Sequence, residues 1–232
     1  MNESNAHLSR QFDEELEGLR TRVLQMGGLV ESQICMASEA YAEANMETAH
    51  TVIETDHRVN ELEKAIDNGC IHVIAKRQPT AYDLRLVMAV SKIVTDLERI
   101  GDEAKKMAKG VRRINERGHM LVVADAANIG HLANEATEML RRSLDAFARL
   151  DTETALAVIR DDKDLDHEFK AIVRQLVTYM MEDPRTITCS LDVITIARAI
   201  ERIGDHAKNV AEQVIYIVEG RDIRHIKEEG AA

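Results

Sequence analysis

The chain has 232 residues, 45% of them hydrophobic and 31% charged, with aromatics at only 3%, two prolines and no tryptophan. That is the composition of long packed helices, with enough surface to bury one large core or two fused ones. A formal net charge of −11 argues against nucleic-acid phosphates and anionic membrane surfaces as partners, and suits metal cations or a basic protein surface.

Apolar residues spaced by three or four predict six helices. The first runs from about Phe12 to Ala44 through Leu16, Leu19, Val23, Met26, Val30, Ile34 and Ala37, and Gly27-Gly28 is expected to interrupt it, marking the close approach of a neighbouring helix. Asn45 is a candidate N-cap for the second helix, which reaches about Arg77. Gln78-Pro79-Thr80 breaks it, and Thr80 with Asp83 resembles a capping box for the third, which continues to Glu116. Arg117-Gly118-His119 is the mid-chain pause. The fourth helix runs from about Leu121 to Arg149. Asp151 caps the fifth, which reaches Glu182, and Asp183-Pro184 punctuates it. The sixth spans about Thr188 to Glu219 and stops at Gly220.

The second half repeats the first. Tyr41-Ala42 corresponds to Phe147-Ala148, Val52-Ile53 to Val158-Ile159, and Asp56, Val59 and Ile66 to Asp162, Leu165 and Ile172, at an offset of 106. The stretch Leu97-Glu98-Arg99-Ile100-Gly101-Asp102 returns as Ile200-Glu201-Arg202-Ile203-Gly204-Asp205 at an offset of 103. The expected fold is therefore all-α, two tandem, pseudo-symmetric three-helix bundles over residues 1–117 and 118–220, with a charged tail at 221–232.

Each repeated stretch carries a Glu-x-x-x-Asp pair, whose carboxylates lie at i and i+4 on one helix face. Placed at 100° per residue, Val90, Leu97, Gly101, Ala104 and Ala108 form a core stripe with Glu98 and Asp102 on its rim. Val193, Ile200, Gly204, Ala207 and Ala211 do the same for Glu201 and Asp205. One such pair is ordinarily a solvated face. Two copies in matching orientation, each level with further acids on the preceding antiparallel helix, point to a cation site, because close carboxylates repel when both are ionised. The facing residues are Asp56 and Asn60 in the first half and Asp162 and Asp166 in the second, with Glu63 and Asp67 as second choices nearer the turn. A donor set of oxygens suits Mg²⁺, Mn²⁺ or iron, with Zn²⁺ also a candidate.

Other chemistry is sparse. Cys35, Cys70 and Cys189 lack Cys-x-x-Cys spacing and read as reduced thiols. His57, His72, His119, His131, His167 and His225 lack the spacing of a zinc site, and His206, about 100° from Asp205 around its helix, is expected on the surface. No His or Lys near either motif is suited to acid–base work, and no nucleophile or phosphate loop is evident. Met1–Gln11 is polar and no run reaches the ~18 apolar residues of a spanning helix, so the expected location is the cytoplasm.

Met26-Gly27-Gly28, Ala75-Lys76-Arg77-Gln78-Pro79-Thr80, Asp83-Leu84-Arg85, Leu97 to Asp102, Tyr179-Met180-Met181-Glu182-Asp183 and Ile200 to Asp205 follow one another in this order. In this the chain resembles the PhoU family of phosphate-specific transport system accessory proteins, from about residue 7 to 225. The resemblance implies two symmetric three-helix bundles with multinuclear metal clusters at Glu/Asp-x-x-x-Asp pairs. Glu98/Asp102, Glu201/Asp205 and Asp162/Asp166 match that motif, while Asp56/Asn60 departs from it at the second position. It further implies a homodimer, without enzymatic activity of its own, that represses the phosphate-starvation response and controls phosphate uptake. It would do so by coupling the ATPase of the phosphate ABC transporter to a membrane sensor histidine kinase. The alternative is a metalloenzyme, such as a phosphatase, or a metal store built on the same carboxylates.

Overall fold

In the computed structural model, residues 3–117 and 128–223 are described, with side chains from residue 10 onward. The pause at Gly118-His119, the proposed start of the fourth helix at Leu121, and His225 lie outside them. The described elements are all helical: α1 (Glu3–Glu43), α2 (Met46–Thr55), α3 (His57–Arg77), α4 (Ala81–Glu116), α5 (Ile129–Arg149), α6 (Thr152–Glu182), a 3-10 turn (Pro184–Thr186) and α7 (Ile187–Glu219). They form two pseudo-symmetric three-helix bundles, α1 with α2–α3 and α4, then α5 with α6 and α7.

The first helix is longer than its periodicity suggests and runs unbroken through Gly27-Gly28. Gly27 does mark a close approach: a Cβ there would lie 2.5 Å from Leu144 of α5. Gly28 has open space instead. The stripe from Leu16 to Ala37 is buried throughout, and each fully buried Leu or Ile on such a stripe contributes about 1.5–3 kcal/mol.

The turn after α1 recurs after α5. Ala44 (φ 56°) and Leu150 (φ 55°) adopt the left-handed conformation that ends each helix. The next residue caps the following one: Asn45 Oδ1 accepts from the backbone N–H groups of Glu47 and Thr48, and Asp151 Oδ1 from those of Glu153 and Thr154. Gly220 (φ 71°) closes α7, its N–H donating to Tyr216 O. Thr80 makes no side-chain cap. The backbone N–H of Asp83 donates to its carbonyl instead, at 3.1 Å.

The halves diverge at one point on the outer helices. The segment expected to be one helix from Asn45 to Arg77 is divided at the buried Asp56, where the Val59 N–H turns to the Asp56 carbonyl at 3.0 Å. The equivalent Asp162 lies within an unbroken α6.

At the centre, α4 packs on α7 more extensively than any other pair of helices, and α1 packs on α5. One continuous core results. Polar links cross it as well. Asp192, buried on α7, accepts from Arg113 Nε of α4 at 2.9 Å and from Nη1 of Arg117, just past the end of α4, at 2.5 Å. Among the described residues, α2 and α3 pack only on helices of their own half, and so does α6. Each outer helix packs on both inner helices of its half, α3 on α1 and α4, and α6 on α5 and α7. The paired acids lie on the α3–α4 and α6–α7 seams.

Candidate metal centre

Glycines set how closely the seams pack. A Cβ on Gly101 would lie 3.3 Å from both Val59 of α3 and Gln33 of α1. One on Gly204 would overlap Leu165 of α6 and lie 3.7 Å from Met139 of α5. Val59 and Leu165, like Gln33 and Met139, are repeat equivalents, so each motif glycine meets the same two positions of its own bundle.

Asp56 and Lys105 meet across the first seam, and Ser91 Oγ donates to Asp67 Oδ1 at 2.9 Å nearer the turn. These two pairs mark the antiparallel register, which brings Glu98 and Asp102 within electrostatic reach of Glu63 on α3, with Asp56 acting on Glu98 less strongly. The Glu98 side chain is 18% exposed. Its pKa is raised, first by burial and then by the charges of Asp102, Glu63 and Asp56. Glu63 is raised likewise, by burial, Asp67 and Asp102. Glu63, a second choice from sequence, thus belongs to the same electrostatic cluster, while Asn60 is half-buried on the seam.

The second seam repeats the arrangement with Asp162 and Asp166. Glu201, 12% exposed in its side chain, has a pKa raised by burial, then by Asp205, with Asp166 adding to it. Asp205 keeps an exposed edge, yet the atoms crowded around its carboxyl raise its pKa, followed by the charges of Asp162 and Asp166. Asp166 is half-buried and is paired with Lys170 at 3.0 Å.

Each face also contains a lysine, contrary to the sequence reading. Lys105 Nζ donates to Asp56 Oδ2 at 2.6 Å, and Lys208 Nζ to Asp162 Oδ2 at 2.7 Å. The two are repeat equivalents, three residues beyond Asp102 and Asp205. Each lies one turn past the motif, so its long side chain reaches across the seam. For Lys105 the bond to Asp56 dominates and raises its pKa. For Lys208 burial pulls the pKa down, but the bond and charge of Asp162, with Glu212 and Asp205, outweigh it. The signal was legible as Asp-x-x-Lys in both halves. His206 is also corrected: it is largely covered, its Nδ1 is 2.8 Å from Asp96 Oδ1 on α4, and Asn209 Nδ2 donates to the same oxygen.

The faces gather carboxylate oxygens, the donor type that hard cations take, but among the described residues neither brings three such ligand atoms within 4.8 Å of one another. Among the described residues, three ligand atoms within 4.8 Å of one another occur only at His131, Glu135 and Glu168. On the two acid faces Lys105 and Lys208 supply positive charge, together with Arg99 beside Glu98, and Arg198 and Lys170 beside Glu201 and Asp166.

These raised pKa values have a stability consequence. A carboxyl whose folded pKa exceeds its unfolded one contributes stability that is complete below the ordinary carboxylate range and is lost as pH rises through the folded value. Glu98→Gln should therefore stabilise the ion-free protein at pH 7, by a few tenths to about 1 kcal/mol, judged from like-charge pairs on helices, or roughly 1–4 °C for a chain of this size. The gain should fade as the pH is lowered to 4. Thermal melts at both pH values test this, and a loss of stability at pH 7 would overturn it.

Comparison with known proteins adds an independent line. The family model described as "PhoU domain" matches residues 23–111 and 129–214. The chain is similar to the "Phosphate-specific transport system accessory protein PhoU homolog" of Pseudomonas aeruginosa, with 47% identity over 95% of this chain and 90% of that one. It is similar to the "Phosphate-specific transport system accessory protein PhoU" of Escherichia coli K12, with 46% identity over 96% and 91%. The crystal structure of PhoU from Pseudomonas aeruginosa superposes with a TM-score of 0.86, covering 90% of this chain and all of that chain at 46% identity.

Proposed function

Because the chain belongs to the PhoU family, we propose that it is a regulatory accessory of phosphate transport, a non-enzymatic adaptor whose two acid faces hold metal ions. The names of the P. aeruginosa and E. coli relatives, at 46–47% identity over nearly the whole of each chain, support the transport role. The observation that carries the metal assignment is the recurrence, on two seams, of a partly buried Glu-x-x-x-Asp pair facing further acids. Mg²⁺, Mn²⁺, iron or Zn²⁺ would be held by Glu98, Asp102, Asp56 and Asn60, with Glu63, on one seam. Glu201, Asp205, Asp162 and Asp166 would hold it on the other. Such an ion would relieve the carboxylate repulsion that the lysines only partly offset.

In this reading the protein acts in the cytoplasm as a homodimer between the ATPase of the phosphate ABC transporter and the phosphate sensor kinase. No helix among the described residues is long and apolar enough to cross a membrane. Exposed apolar side chains also repeat: Ile71, Leu84 and Met88 near the α3–α4 turn have Val177, Ile187 and Leu191 as counterparts. Paired apolar patches on an acidic molecule suit a protein partner.

A phosphatase on the same carboxylates has the two lysines in its favour. Both are held as counter-ions with raised pKa values, so they stay protonated and serve poorly as general bases.

The test is metal content by elemental analysis of untagged protein, wild type against Asp102→Ala and Asp205→Ala. The wild type should carry metal on both seams and each variant on one. Metal-free, folded wild type would overturn the assignment. Metal-dependent phosphate-ester hydrolysis that is lost in Asp205→Ala would overturn the non-enzymatic reading. Failure of the wild type to bind either the ATPase or the kinase would remove the adaptor role.

A further inference from the structure

The seam between α5 and α6 carries a different kind of cluster. His131 and Glu135 lie one turn apart on α5, and Glu168 faces them from α6. His131 Nε2 is 3.4 Å from Glu135 Oε1 and 3.5 Å from Glu168 Oε2. A tetrahedral zinc ion with ordinary nitrogen and oxygen bond lengths separates its ligand atoms by about 3.3–3.5 Å. Both separations made by the imidazole match that value with no ion to impose it.

The repeat supplies a second reason. The equivalents of Glu135 and Glu168 in the first half are Leu29 and Leu62, both packed against the core. Here an apolar seam has been replaced by two carboxyls whose oxygens come within 4.8 Å of each other and of the imidazole. Two carboxylates this close repel each other when both are ionised, and a shared cation removes that repulsion. Beyond Glu135 the seam opens into a cleft of about 230 Å³, lined by Glu138, Asp161 and Asp164 together with Arg142, which leaves room for solvent to reach an ion.

We propose that His131, Glu135 and Glu168 form a third metal site, for a first-row divalent transition ion such as Zn²⁺, independent of the two acid faces. One imidazole nitrogen with two carboxylate oxygens selects such an ion over Mg²⁺ or Ca²⁺, which take oxygen alone. Three protein ligands leave the fourth position to water, as in an exchangeable site. Asp166 and Glu168 lie about 200° apart around α6, so this site and the second acid face open on different sides of that helix. Because it lies in one half only, it would give a pseudo-symmetric molecule a single distinguishing mark.

The experiment is titration of metal-free, untagged protein with Zn²⁺, and separately with Co²⁺ followed by visible absorption. Wild type should bind one more Zn²⁺ per chain than His131→Ala or Glu168→Gln, and only wild type should give the intense visible bands of tetrahedral Co²⁺. The helical circular dichroism of both variants should be unchanged, since His131 is exposed. Asp102→Ala and Asp205→Ala should keep this equivalent and its Co²⁺ bands, so the acid-face assignment and this one fail separately. Equal Zn²⁺ stoichiometry and Co²⁺ spectra in wild type and both α5–α6 variants would overturn the proposal.

Discussion

Lys105→Ala should cost the ion-free protein about 2–3 kcal/mol, an expected fall of roughly 5–10 °C in melting temperature. The reason is asymmetry of burial. The Asp56 side chain is 4% exposed, whereas that of Lys105 is 27% exposed. Removing the lysine leaves a buried carboxylate without its ammonium partner, which is the costly way to break a buried pair. The lower end of the usual range applies because water can enter the space the lysine vacates. Lys208→Ala should cost less, about 1–2 kcal/mol, since Asp162 at 14% exposed is better solvated. The informative half of the experiment is repeating the melts with Mn²⁺. If the lysine occupies the place of a cation, Mn²⁺ should recover most of the lost stability in Lys105→Ala and raise the wild type less. An equal Mn²⁺ effect on both proteins would show that lysine and metal do not compete.

Gly204→Ala should destabilise by about 2 kcal/mol, while Gly101→Ala should fall within about 1 kcal/mol of wild type. Alanine in a helix interior gains about 1 kcal/mol over glycine at either position. At Gly204 the new methyl overlaps Leu165, itself buried against the core, and the overpacking outweighs the gain. At Gly101 the nearest atoms are 3.3 Å away, and a shift of a few tenths of an ångström accommodates the methyl. Denaturant unfolding of both variants checks the contrast. Equal effects at the two positions would mean that seam spacing is set elsewhere. The difference matters for the carboxylates because Leu165 lies between Asp162 and Asp166 on α6, so a displaced Leu165 displaces them as well.

Much of this was readable in the residues because local rules and tertiary packing agree. Asn45, Asp151 and Gly220 cap where their chemistry says they should, and the apolar stripes face the core. The recurring Glu-Arg-Ile-Gly-Asp identified both seams and their orientation. What sequence reading missed depends on contacts across helices. Thr80 has cap chemistry, but its side chain makes no cap in place. Asp56 and Asp162 are the same residue at equivalent positions, yet only the first interrupts its helix. His206 was assigned to the surface from its angle around α7, which is correct for its own bundle but ignores α4 of the other. His131 lacks zinc spacing because its third companion, Glu168, is on another helix. Lys105 and Lys208 fall outside the Glu-x-x-x-Asp pattern because they lie one turn forward of each aspartate, and only the packing of the facing helix shows that they reach its acids.

The confinement of α3 and α6 to their own halves has a consequence for dynamics. A helix held by one half of the molecule can detach without breaking the α4–α7 centre, so each outer helix is a candidate unit of partial opening. An ion bridging a seam would protect the amides of its own outer helix from exchange with solvent. It would leave those of the opposite helix unchanged, since no described packing joins the two. The molecule is thereby built to register two occupancies separately, as two local rigidities on a common frame rather than as one concerted change of shape.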